Sequence, residues 1–186
     1  MSNIQSSTPP ELISQARNAL QRQAFDQCLE LCQTLLNIDH TQVEVLYLKA
    51  VALRYLRKFS DALLVLKQAI ELNPRLGRLH QELGHCYRDQ NRPDEALSAY
   101  TKAVEINPAL HASWRVLIAL YKLKAQAQKR QEAEQMLSRL QSLHPTVVSA
   151  QGLYFDNELL ESEQVIRAYL LQHPEDIEGM RLLATI

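Results

Sequence analysis

Small and large apolar residues return along this chain at helical spacing, and the whole pattern returns every 34 residues. Val43 to Leu76 and Gly77 to Leu110 align without a gap. Ala62, Leu66 and Ala69 precede Pro74 at the same distances at which Ala96, Tyr100 and Ala103 precede Pro108. Offsets of four then three lie on one face of a helix. A second stripe runs through the first half of each segment: Leu83, Gly84 and Tyr87 in one, with Ala50 filling the slot of Gly84 in the other. A small residue there lets a neighbouring helix come close, which accounts for a mid-helix glycine despite its cost of roughly 1 kcal/mol relative to alanine. Between the stripes lie the polar links Arg57-Lys58-Phe59-Ser60 and Asn91-Arg92-Pro93-Asp94. Asn91 suits a left-handed helix end, and Pro93 the first turn of the next helix. Each segment closes on an Asn-Pro pair, Asn73-Pro74 or Asn107-Pro108, and the residue before proline avoids helical geometry. The pattern predicts two helices per period.

The same period extends in both directions. Units are expected at 9–42, 43–76, 77–110 and 111–147, behind a flexible segment 1–8. In the first, Ala16 takes the small slot, Cys28 and Cys32 the packing slots of the second helix, and His40 replaces the closing proline. Thr8-Pro9-Pro10-Glu11 reads as a capping box opening the first helix. In the fourth, Trp114, Leu117, Tyr121, Ala133, Leu137, Leu140 and Pro145 fit, with three extra residues before Ala133. Three residues are nearly one turn, so a longer helix pair is expected. Residues 148–176 form a degenerate pair, with helices expected from Val148 to Asp156 and from Glu161 to Gln172. Residues 177–186 resemble the opening helix of a further unit. An array end with a naked apolar face is unfavourable, so the chain is expected to be the front part of a longer protein.

These residues resemble the tetratricopeptide repeat family, whose hallmark is a pattern of small and aromatic residues over two helices. In 77–110, Leu83, Gly84, Tyr87, Ala96, Tyr100, Ala103 and Pro108 fit it; His80 stands where the family often has the tryptophan that Trp114 restores one unit later. The resemblance implies an all-α fold, a right-handed superhelical solenoid of antiparallel helix pairs, that binds another protein or a peptide on its concave first helices. The polar stripe of those helices runs at offsets of three, four and three. It comprises Arg78, Gln81, His85 and Arg88 in one unit, Glu44, Tyr47, Val51, Arg54 and the adjacent Tyr55 in the unit before, Arg115 and Lys122 in the unit after, and Arg17 in the first. Arg forks and Tyr faces on one side suit an extended peptide carrying carboxylates. The bland alternative is a helix face that is merely solvated. The Lys and Asn set with which some family members grip a terminal carboxylate is absent, since Ile13, Arg17 and Leu48 occupy its slots.

Composition narrows the function further. A net charge of −1 gives no overall field for nucleic acid or anionic lipid. No apolar run approaches the ~18 residues that span a bilayer. Met1 to Pro10 lacks the charged start and apolar middle of a secretion signal, which makes the cytoplasm the expected compartment. Cys28 and Cys32 are spaced to touch one metal, but both fill core slots, where cysteine behaves as a small hydrophobe. His40, His144 and His173 fall at helix ends and are expected to cap carbonyls. No nucleophile elbow, phosphate loop or zinc motif occurs, so no cofactor, metal or catalysis is expected of this chain. Two further readings stand beside the binding module. One is a non-catalytic arm, since residues 170–184 resemble arrays fused ahead of a sulfotransferase domain in bacterial proteins. The other is a homodimer formed through the apolar face of 177–186.

Overall fold

The computed structural model describes residues 8–186, which fold into eleven α-helices. They are α1 (Pro9–Gln21), α2 (Phe25–Ile38), α3 (Val43–Tyr55), α4 (Phe59–Leu72), α5 (Gly77–Asp89), α6 (Pro93–Ile106), α7 (His111–Leu123), α8 (Ala127–Ser142), α9 (Pro145–Phe155), α10 (Leu159–Leu170) and α11 (Ile177–Thr185). Apart from Thr8, the segment expected to be flexible lies outside the described residues. Helices pair in sequence order through three-residue links, α1 with α2 through to α9 with α10; connections this short make antiparallel neighbours. The chain divides into two compact units, one ending at Pro74 and one running from Arg75 to Ile186.

In the first unit, Leu12, Ala16 and Ala19 of α1 meet Cys28, Leu31, Cys32 and Leu35 of α2 and Val45, Leu48 and Ala52 of α3. Cys28 and Cys32 are fully buried, their sulfurs 3.9 Å apart. At the start of α1 the Glu11 carboxylate accepts the Thr8 N–H at 2.8 Å, as the sequence predicts.

The second unit has one core of Ala96, Tyr100, Val104, Leu117, Leu120, Tyr121 and Ala133, spanning α6, α7 and α8. Val147, Ala150, Ile166, Tyr169 and Leu182 form another across α9, α10 and α11. The insertion before Ala133 lengthens α8 to 16 residues against 14 in α6. α9 packs on α10 and α11 rather than on α8. Two clefts run beside α8 instead. One, of about 370 Å³, lies among Met136, Leu140, Tyr154, Phe155 and Leu182; the other, of about 450 Å³, among Leu110, Leu140, Leu143, Val148 and Gly152. Pro145 opens α9 at its first position instead of closing the preceding unit. His144 likewise departs from the expected carbonyl cap: its Nδ1 accepts the Thr146 N–H at 3.2 Å, because Leu143 leaves α8 in an extended conformation and presents His144 to the next helix's N-terminus.

All five links share one device. Gln23, Arg57, Asn91, Ala125 and Asn157 have positive φ, between 53° and 63°. In each, the following N–H reaches back to a carbonyl one turn inside the first helix, as Lys58 does to Leu53 and Gln126 to Tyr121 at 2.9 Å. This is the Schellman closure. Of the five, Asn91 and Asn157 are residue types that favour the left-handed region, and the helix pattern singles out Asn91 of the two; glycine, the usual signal, is absent from every link. Non-glycine residues resist this conformation. Replacing Ala125 by glycine is therefore expected to stabilise the chain by roughly 0.5–1 kcal/mol, read as a higher urea midpoint.

The Gly84 slot works as its sequence position predicts. A Cβ there would lie 2.9 Å from two ring carbons of Tyr100, which is fully buried. The equivalent pairs are Ala50 with Leu66 and Ala16 with Cys32, so the smallest first-helix residue faces the largest second-helix one. Gly84→Ala is expected to cost roughly 1–3 kcal/mol by overpacking. The cost should shrink in a Tyr100→Leu background, measured by denaturation of the four proteins of the cycle.

Candidate protein-binding surface

In the first unit the stripe residues hold one another. Arg17 Nε donates to Glu44 Oε1 at 3.0 Å, joining α1 to α3. The Arg54 guanidinium lies 4.4 Å from the Tyr55 ring centroid, and that ring stacks on Phe25 at 4.9 Å and 5°. Arg, Tyr and Phe thus form a ladder where α3 ends beside the start of α2. Tyr47 packs against the core. Val51 is a correction to the expected stripe, being only 7% exposed. α3 touches α1, α2 and α4, so apolar residues occupy most of its circumference and offsets of three, four and three cannot stay in solvent.

In the second unit α5 carries four stripe residues, and each has a partner within the chain. Gln81 Nε2 donates to the buried Ser113 Oγ at 2.9 Å, tying α5 to α7. His85 Nδ1 and Tyr100 Oη lie 2.5 Å apart, which satisfies the hydroxyl of a ring otherwise buried in carbon. Arg88 pairs with its neighbour Asp89 at 2.7 Å. Arg78, first on this face, pairs with Glu158 at 2.6 Å. On α7, Arg115 and Lys122 are exposed, with no ion pair or side-chain hydrogen bond among the described residues. No described helix is long and apolar enough to cross a membrane.

The Arg78 contact belongs to a polar joint that periodicity did not reveal. Asp156 Oδ1 accepts the Gly77 N–H at 3.1 Å, capping the first turn of α5 from 79 residues away. The cap of α5 itself, Leu76, has no side chain able to do so. Asn107, 1% exposed, donates Nδ2 to the Gly152 carbonyl and to Asp156 Oδ1, both at 3.0 Å, and its Oδ1 accepts the Ala109 N–H at 3.1 Å. Burial raises the Asp156 carboxyl above its ordinary value, against the pull of the Asn107 amide, the Arg78 charge and the Gly77 N–H. In the sequence the recurring Asn-Pro marks Asn107 as a helix stop and carries no sign of these partners. Asn107→Ala leaves the buried Ala109 N–H without its side-chain acceptor and removes one donor each from Asp156 and from the Gly152 carbonyl, which keeps the Asp156 N–H. It is expected to cost roughly 1–3 kcal/mol and to speed amide exchange across α9 and α10 more than across α6.

Residues 43–76 and 78–110 each match the tetratricopeptide repeat. The heat shock protein STI1 of Saccharomyces cerevisiae is 29% identical over 107 residues, 57% of this chain and 18% of that protein. The chain spans under a fifth of the length of the curated relatives it matches. Among solved structures, Naa15/Naa10 bound to HypK-THB superposes with a TM-score of 0.65 at 17% identity, over 89% of this chain and 25% of that one. The first TPR of Spaghetti (RPAP3), bound to the HSP90 peptide SRMEEVD, gives 0.59 at 17% identity, over 63% of this chain and 95% of that one. These structural likenesses concern the fold. Paired helices at a 34-residue period, the interlocked slots of Gly84 and Tyr100, and the two matched models lead to one family, and residues 43–76 and 78–110 are tetratricopeptide repeats.

Proposed function

We propose that this chain is a protein-interaction module that grips an extended acidic segment of its partner on the solvent face of α5 and α7. The carrying observation is the pair Arg115 and Lys122, seven residues apart on one face of α7, exposed and not ion-paired among the described residues. Arg88 occupies the slot of Lys122 one period earlier. The Gln81–Ser113 hydrogen bond ties α5 to α7, so Arg88, itself paired with Asp89, joins Arg115 and Lys122 on one side of a chain whose total charge is only −1. Arg forks there take carboxylates in bidentate fashion. The acidic peptide on the similarly folded RPAP3 repeat supports this ligand chemistry. The slots of the Lys and Asn grip hold Ile13, Arg17 and Leu48 here, so the ligand is read along its side chains rather than by its terminus. The role is binding, and no reaction is assigned to the chain.

Fluorescein-labelled deca-glutamate is a suitable probe. The triple reversal Arg88→Glu, Arg115→Glu, Lys122→Glu is expected to weaken its binding at least about tenfold, with helicity and melting unchanged. Binding by the unaltered chain should also fall as salt is raised from about 50 to about 300 mM. A triple variant that holds the probe as tightly as the unaltered chain would end this reading.

A further inference from the structure

The five links between paired helices differ in charge. Arg22-Gln23-Ala24, Leu56-Arg57-Lys58, Gln90-Asn91-Arg92 and Lys124-Ala125-Gln126 each carry at least one cation and no carboxylate. The fifth, Asp156-Asn157-Glu158, carries two carboxylates and no cation. That link is seated on α5 and on the end of α6, with Asp156 on the Gly77 N–H and the Asn107 amide and Glu158 on Arg78. Arg78 heads the same face of α5 that continues through Gln81 and His85 to Arg88. The acidic turn therefore sits at the N-terminal end of the surface proposed to receive an acidic partner.

Two features of this contact suit a seat that can be vacated. The helices behind the turn have their own core, Val147, Ala150, Ile166, Tyr169 and Leu182, so α9, α10 and α11 keep an apolar interior when the turn lifts. Beside them, open clefts rather than a continuous core border α8. The joint is largely polar, and its carboxylate is incompletely compensated, burial outweighing the donors around Asp156.

We infer that the Asp156–Glu158 turn is an internal ligand, which occupies the Arg78 end of the binding face and competes there with the carboxylates of an incoming acidic segment. The inference rests on the proposed role of the α5 and α7 face. A partner that binds must displace the turn, so its apparent affinity is reduced by the fraction of chains in which the seat is filled. Glu158→Gln keeps the shape of the side chain and removes the charge that holds Arg78.

The test uses the full chain and the deca-glutamate probe. Glu158→Gln is expected to bind it about fivefold more tightly than the unaltered chain. Adding Arg78→Glu to that variant should abolish the gain. Probe binding to the unaltered chain should speed amide exchange at residues 156–162 while leaving α6 unchanged. Equal affinity of the unaltered and Glu158→Gln chains, or exchange at 156–162 that does not respond to bound probe, would overturn the internal ligand. If in either case the Arg88, Arg115 and Lys122 reversal still weakens binding, the proposed binding face survives. If that reversal has no effect, the binding face fails and the internal ligand fails with it.

Discussion

A pair of short helices buries too little apolar surface to stand alone, and each must close its face against a neighbour. Within a pair, the two helices are brought close by the insertion of a large second-helix side chain into a slot left by a small first-helix residue. Tyr100 over Gly84 is such a case, where even a methyl group does not fit. The same demand for close approach places Ala16 and Ala50 where their neighbours are fully buried. It leaves the outward faces of the first helices largely to polar residues, the face on which the binding site is proposed. Scaffold and recognition are separable for this reason: the inner slots hold the helices at fixed spacing while the outer positions vary in chemistry.

Past α8 the architecture changes. α9 does not continue onto α8, and a buried amide with three hydrogen bonds takes over from apolar interlocking. A polar joint is directional. It specifies one docking geometry but adds little to stability compared with a packed core. The distribution of side-chain partners follows from this. Arg78 is held by a carboxylate from the other side of the joint, whereas Arg115 and Lys122, with no ion pair among the described residues, are exposed to solvent. The cationic face is thus filled at one end and open at the other.

The left-handed residue that closes every first helix shows how regular the scaffold is. Its position recurs at Gln23, Arg57, Asn91 and Ala125, at the 34-residue period, and then at Asn157. No common residue type marks it. The backbone hydrogen bonds of the closure impose the conformation on whatever side chain is present, and sequence composition registers only the asparagines.

The sequence by itself determined the paired helices, the period, the small slots and the resemblance to the repeat family, because each is a local or periodic property of hydrophobic spacing. It also located the polar stripe on the first helices. Tertiary structure alone decided which members of that stripe are available. Val51 is covered because α3 has neighbours on several sides. Gln81, His85 and Arg78 are held by residues 32, 15 and 80 positions away. A carboxylate that caps a helix 79 residues distant leaves no trace in helical periodicity, because periodicity records which face of a helix is buried and not which charge another segment brings to it.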